Sequence, residues 1–226
     1  LLLFIIIVGV VIVLFVLDVF SSSPDSSSID LKFDRYLIVI SLDGFRAEYF
    51  DNDNISSPNI HSLAENGVHI KRMIPVYPSL TFPNHYTIAT GLYPGNHGIV
   101  SNSFWDPELN EMFYMSSKDT TGKWYRGEPI WNTHRTADNI EDYSDYKSAV
   151  VFWVGSDHNA SGHGYPEFYL DYNISYPFKK RINKILELLE DGSYRLIMGY
   201  LEQPDKNGHD YGPGSKEVAD VIKDVD

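Results

Sequence analysis

Tyr36-Leu37-Ile38-Val39-Ile40-Ser41-Leu42-Asp43-Gly44 is the stretch that decides the fold. A short, almost wholly apolar run that ends in Asp-Gly reads as a strand buried on both faces, with a turn directly after it. Ser148-Ala149-Val150-Val151-Phe152-Trp153-Val154 and Arg195-Leu196-Ile197-Met198-Gly199-Tyr200-Leu201 repeat the pattern. Helical signals lie between these runs. Ser57-Pro58 is a cap followed by proline at the first helical position, leading into Asn59 to Asn66, with Gly67 as the stop. Ile182, Ile185, Leu186 and Leu189 give the spacing of a helix that packs on a sheet. Strands alternating with helices imply an α/β domain with a largely parallel central sheet flanked by helices. Ligands of such sheets bind beyond the carboxyl ends of the strands. Asp43 follows one such end directly, and Asp205 lies just past another.

Outward from this domain the composition changes. Leu1 to Leu17 contains only Leu, Ile, Val, Phe and one Gly, and Asp18 is the first charge. A helix needs about 20 apolar residues to cross a bilayer, with about 17 as the lower limit. A cleavable signal core is shorter, about 7–15 residues. Residues 1–20 are therefore expected to form a transmembrane signal anchor. Ser21-Ser22-Ser23-Pro24 keeps a cleaved signal peptide, and so a secreted protein, open as the alternative. Residues 21–33, rich in Ser, Asp and Pro, read as a stalk, and residues 34–226 as one domain. The chain begins with Leu, and Ser215 to Asp226 reads as the start of a helix that is cut off. The domain is thus expected to be incomplete.

Three Asn-x-Ser sequons, at Asn54, Asn159 and Asn173, favour a glycosylated domain on the extracellular or lumenal side. The chain has no cysteine, which removes any thiol nucleophile and any disulfide framework. Its formal charge of −13 argues against a nucleic-acid duplex or an anionic lipid surface as partner.

The candidate chemistry lies in Thr81-Phe82-Pro83-Asn84-His85, read with Asp43 and with Asp205-Lys206-Asn207-Gly208-His209. A threonine hydroxyl is a poor nucleophile at neutral pH and needs a base or a metal. Asp205 and His209 stand four residues apart, which can bring a carboxylate and an imidazole onto one ion. Such oxygen and nitrogen ligation suits Zn²⁺, with Mn²⁺ or Fe as weaker candidates. Each piece also has a plainer use: Asp43 as a turn residue, Thr81 as a helix cap.

The combination closely resembles the nucleotide pyrophosphatase/phosphodiesterase family of the alkaline phosphatase superfamily. The resemblance is carried by Ile40-Ser41-Leu42-Asp43-Gly44-Phe45-Arg46, by Tyr77-Pro78-Ser79-Leu80-Thr81-Phe82-Pro83-Asn84-His85-Tyr86 and by Thr90-Gly91-Leu92-Tyr93-Pro94-Gly95-Asn96-His97-Gly98 through Asn102. Trp124 to Trp131, Phe152 to Asp157 and Tyr200 to His209 follow in the same order. It implies an alkaline-phosphatase-like fold and two Zn²⁺ per complete site, with Asp43 and Thr81 on one ion and Asp205 and His209 on the other. Thr81 would be the nucleophile, phosphorylated in mid-reaction. Asn102 would donate to a phosphoryl oxygen. Phe82, Tyr172 and Tyr200 would line the substrate, the two tyrosines sandwiching a base.

The implied activity is hydrolysis of phosphodiester or pyrophosphate bonds in extracellular nucleotides or dinucleotides, releasing nucleoside 5′-monophosphates. A choline-phospholipid or lysophospholipid phosphodiesterase of the same family is the alternative, as is a catalytically inactive, truncated surface protein. Asp157-His158 mimics a ligand pair, but Phe152-Trp153-Val154-Gly155 before it places it in the substrate-side block. His61, His69, His134 and His163 read as surface or capping residues. The family's further Asp-His pair and final histidine would lie beyond Asp226. The chain therefore carries about half of the ligand set and by itself is expected to be inactive.

Overall fold

A computed structural model describes residues 10–16, 36–117, 121–136 and 147–226. In chain order the elements begin with β1 (Val10–Val16), β2 (Leu37–Asp43), α1 (Ala47–Phe50), α2 (Pro58–Asn66), α3 (Thr81–Thr90) and α4 (Pro94–His97). There follow β3 (Ser103–Asp106), β4 (Glu111–Tyr114), α5 (Ile130–Thr136), β5 (Lys147–Val151) and β6 (Phe168–Leu170). The last are α6 (Phe178–Asp191), β7 (Tyr194–Leu201), α7 (Asp205–Tyr211) and α8 (Lys216–Val225). The chain divides into two compact units, Leu1–Ile74 with Ile174–Asp226, and Pro75–Asn173.

In the first unit β2 and β7 pair in parallel, with Ile38 opposite Ile197 and Ser41 opposite Tyr200. Both strands are buried along most of their length. That is why neither shows an alternating polar face. Helix α6 covers β7 with Ile185, Leu188 and Leu189. Leu186, expected on this face, is 44% exposed, and Leu188 takes its place. At Gly199 a Cβ would come within 2.6 Å of Ile185, so the absent side chain is what lets helix and strand approach. A second core gathers Leu42, Phe45, Tyr49, Ile60, Leu201, Val218 and Ile222, and seats α8. Ser215 caps that helix, accepting from the Val218 N–H at 3.3 Å.

Val10–Val16 forms a strand, antiparallel to β2, with Val10 opposite Asp43 and Val16 opposite Leu37. A helix was expected over these seven residues. Their Val- and Ile-rich sequence suits a pleated edge as well as a helix, and pairing gives β2 a partner along its second edge. The remainder of the expected anchor and the stalk lie outside the described residues. Among the described residues no helix is long and apolar enough to cross a membrane.

In the second unit β5 and β6 pair in parallel, with Ala149 opposite Phe168. The strand expected to reach Val154 ends at Val151, because Phe152 turns into the left-handed region at φ 65°. β3 and β4 form an antiparallel hairpin whose inner pair, Phe104 and Phe113, stacks at 4.9 Å. The core is aromatic: Tyr86, Phe113, Tyr125, Trp131 and Trp153 are almost wholly buried. Edge-to-face contacts knit it, among them Tyr86 to Tyr125 at 5.0 Å.

One helix is capped from far away. Ser57 stands at the N-cap of α2, as expected, but its hydroxyl meets His61 Nδ1 at 3.2 Å and does not cap. The carboxylate of Asp226 caps instead, accepting from the N–H groups of Asn59 at 3.1 Å and Ile60 at 2.8 Å. Asp226→Ala is expected to lower stability by about 1 kcal/mol, and Asp226→Asn by less, read as a shift in the urea midpoint.

Candidate active site

Asp43 closes β2 and is almost fully buried. The chain must turn at once to clear the sheet, and Gly44 does so at φ 67°. A Cβ there would lie 2.7 Å from the Asp205 Cα, so glycine is also required for close approach. Asp205 opens α7, where burial and the neighbouring Asp43 carboxylate push its carboxyl up, with His209 opposing. His209 Nε2 lies 3.4 Å from Asp205 Oδ2 across one turn. The expected i, i+4 pair is thus formed, and Asp43 stands beside it.

The strand end that carries this cluster is braced. Tyr200 donates its hydroxyl to Asp43 Oδ2 at 2.8 Å. Arg181, fully buried on α6, forks onto both oxygens of Glu202. The same guanidinium donates to the carbonyl of Tyr176 at 2.9 Å and to that of Tyr200 at 3.4 Å. A bidentate guanidinium–carboxylate pair fixes direction as well as charge. Gln203 and Asn207 bond reciprocally, the Asn207 N–H to Gln203 Oε1 at 3.0 Å and Gln203 Nε2 to Asn207 Oδ1 at 2.8 Å. Together these set the start of α7.

Two neighbouring carboxylates, and an imidazole beside one of them, are the right donor types for a divalent cation, since like charges brought together favour a cation between them. Among the described residues, however, no group of three or more His, Asp or Glu is arranged to hold a metal ion. The donor types fit zinc; these three side chains fall short of a full coordination shell.

In the second unit Thr81 is the first residue of α3, with Leu80 at the N-cap and no side chain of its own cap in play. Asn102 substitutes for that cap: its Oδ1 accepts from the Phe82 N–H at 3.0 Å. That bond orients the amide, so Nδ2 is left as the donor end. Asn84, buried, ties the preceding loop, giving Nδ2 to the carbonyls of Pro78 at 3.1 Å and Leu80 at 2.9 Å. Its Oδ1 accepts from the Val76 N–H at 2.9 Å. His85 and His97 are wholly buried. The His97 Nδ1 accepts from the Ile99 N–H at 3.2 Å and its Nε2 meets Thr87 Oγ1 at 2.9 Å. Burial brings the His97 imidazole down to about 4, so it is a neutral structural residue.

Phe82 is half-buried and meets Phe113 edge-on at 5.9 Å. Tyr172 is 48% exposed, with Phe152 edge-on to it at 5.8 Å. Tyr200, by contrast, is 7% exposed and presents its hydroxyl to Asp43. That differs from the open stacking face expected of it. Asp157 and His158 bond to each other at 2.6 Å, while the His158 ring lies against Tyr125 at 4.5 Å.

A model of the family described as type I phosphodiesterase / nucleotide pyrophosphatase matches residues 37–226. The chain belongs to this family. It is 44% identical over 193 residues to human ectonucleotide pyrophosphatase/phosphodiesterase family member 1, covering 84% of this chain and 20% of the relative. To venom phosphodiesterase 2 of Crotalus adamanteus it is 41% identical over 194 residues, covering 84% of this chain and 23% of that protein. The chain thus spans about a fifth of the length of the curated relatives it matches. Among solved structures it superposes with TM-score 0.74 and 37% identity on murine ectonucleotide pyrophosphatase/phosphodiesterase 5, an inactive threonine-to-alanine form in complex with AMP. That match covers 83% of this chain and 48% of the other. The α/β architecture with parallel strand pairing is therefore that of the phosphodiesterase family.

The sequence alone did not single out Asn84, Arg181 or the hydroxyl of Tyr200. Asn84 lies inside the motif that carries the family resemblance, and the signal was a lone amide among Phe82, Pro83 and Tyr86. Gly44→Ala is expected to destabilise the protein by about 1–2 kcal/mol for its left-handed backbone alone. The collision with Asp205 comes on top of that. Gly91→Ala, at φ 69° with nothing within 4 Å of the new Cβ, carries only the backbone cost. Urea titration should therefore rank Gly44→Ala as the more damaging of the two.

Proposed function

We propose that the protein carrying this chain hydrolyses phosphodiester or pyrophosphate bonds of nucleotides, releasing nucleoside 5′-monophosphates. The observation that carries the reading is that Asp43 and Asp205 stand side by side past the ends of two parallel strands, with His209 one helical turn from Asp205. On this reading Asp43, Asp205 and His209 are zinc ligands, Thr81 is both ligand and nucleophile, and the complete site holds two Zn²⁺. Zinc, when bound, would lower the pKa of the attacking hydroxyl and neutralise charge on the phosphoryl group.

This chain's own residues do the rest. Thr81 Oγ1 gives up its proton to solvent and bonds to phosphorus as the leaving oxygen departs with its electron pair and takes a proton from solvent where its pKa requires one. The product is a phosphothreonine. Water then bonds to the same phosphorus and loses a proton, the Thr81 oxygen leaves with its electron pair and takes up a proton in exchange, and the monophosphate is free. Asn102 Nδ2 donates to a phosphoryl oxygen while Oδ1 holds the Phe82 N–H. The start of α3 adds a positive helix end that favours the anionic group. Phe82 and the exposed ring of Tyr172 offer the base apolar and π contacts.

Support for a nucleotide comes from the names of the relatives and from AMP in the murine neighbour. Support for a threonine nucleophile comes from that neighbour's inactive threonine-to-alanine form. Thr81→Ala is expected to cut hydrolysis of a nitrophenyl ester of thymidine monophosphate by at least about 1,000-fold. Removal of zinc with a chelator should abolish turnover, and zinc should restore it. Equal activity of Thr81→Ala and the unsubstituted protein would sink this mechanism.

We place the domain outside the cell or in the lumen, tethered by the apolar run at residues 1–20, on the strength of that run and the three sequons. Strand β1 and a membrane-spanning helix over Val10–Val16 exclude each other, since these residues cannot pair with β2 and lie in a bilayer at once. Asn54 and Asn173 are exposed, whereas Asn159 is half-buried with its Oδ1 accepting from the Gly164 N–H at 2.8 Å. Glycosidase treatment of the secreted or surface-expressed protein should remove two glycans, those on Asn54 and Asn173. A third on Asn159 would contradict the assignment.

A further inference from the structure

We propose that Tyr200 positions Asp43 for metal binding and is not a stacking platform for the base; this rests on the zinc reading above. Tyr200 lies on β7 directly opposite Ser41, two residues before Asp43 on the parallel neighbour. From there its side chain reaches forward, and its hydroxyl donates to Asp43 Oδ2 at 2.8 Å. Both partners are buried, so water competes poorly with the bond, which holds one rotation of the carboxylate. A ligating carboxylate needs such a partner, because its second oxygen otherwise lets the group swing away from the ion.

Three further observations agree. A stacking platform has to show a ring face to the ligand, and the Tyr200 ring is buried while Tyr172 is the exposed tyrosine. Stacking would be served as well by phenylalanine, whereas the contact made here uses the one atom that phenylalanine lacks. Arg181 holds the Tyr200 carbonyl and the Glu202 carboxylate together, which pins the strand end where the phenol sits. The ring therefore has no simple path to turn outward on substrate binding.

The test is Tyr200→Phe in the natural protein that contains this chain, with Tyr200→Ala and Tyr172→Ala beside it. Zinc affinity is measured by competition with a chromogenic chelator, independently of turnover. Hydrolysis is measured on a dinucleotide and on bis(p-nitrophenyl) phosphate, a diester without a base. Tyr200→Phe should weaken zinc binding by about 10- to 100-fold. At limiting zinc it should lower kcat/KM for both diesters by the same factor, with recovery at saturating zinc. Its melting temperature should stay near that of the unsubstituted protein, since the ring remains in place. Tyr172→Ala should impair the dinucleotide alone.

The proposal is overturned if Tyr200→Phe leaves zinc affinity unchanged, whether or not it lowers the melting temperature. It is also overturned if Tyr200→Ala impairs only the dinucleotide, which is the signature of stacking. Failure of the zinc reading looks different: the unsubstituted protein itself would then retain no zinc, and the comparison among variants would be flat.

Discussion

Two carboxylates, Asp43 and Asp205, are held beside each other at the ends of neighbouring parallel strands, and the first unit is organised around that repulsion. Burial and the neighbouring Asp43 carboxylate push the Asp205 carboxyl up. The fold does not relax the pair apart. Gly44 brings the two backbones closer than any side chain would permit. A geometry that keeps like charges together at some cost in stability is expected where a cation or a substrate resolves the conflict.

Everything near the pair restrains movement. The phenol of Tyr200 holds one carboxylate, and the imidazole of His209 stands by the other. Arg181 and Glu202 form a buried, bidentate ion pair just upstream of Asp205. Such a pair adds little net stability because desolvation offsets most of its attraction. Its contribution here is directional: it fixes the end of β7 and therefore the point where α7 begins. The hydroxyl half of the proposed chemistry is braced by a different device in the other unit. There Asn84 and Asn102 bind backbone groups on either side of Thr81, and the buried aromatic core backs the helix that carries it.

Much of this was legible in the sequence, for a physical reason. An apolar run of seven or eight residues ending in Asp-Gly has few options other than a doubly buried strand, and β2 and β7 follow. Parallel strands put their carboxyl ends on one side of the sheet, so Asp43 and Asp205 were each expected past such an end. That β2 and β7 are neighbours, and the two carboxylates adjacent, is what the fold adds. The i, i+4 spacing of Asp205 and His209 needed only a helix. The order of the motif blocks likewise named the family that the comparison finds over residues 37–226.

What was not legible depends on direction and on distance along the chain. Spacing alone chose Leu186 for the buried face of α6, whereas Leu188 is the residue buried there. Ser57 was a good cap by local rules, yet the carboxylate of Asp226, 166 residues beyond Ile60, reaches the Ile60 N–H while the serine turns to His61. Tyr200 shows the same limit at the site itself. A motif places the residue beside the chemistry, but whether its ring or its hydroxyl faces inward is decided by the strand's pleat and by its register against Ser41. One residue of register is the difference between a surface that stacks a base and a phenol that holds a carboxylate. The function of a matched residue therefore has to be read from the atom it presents.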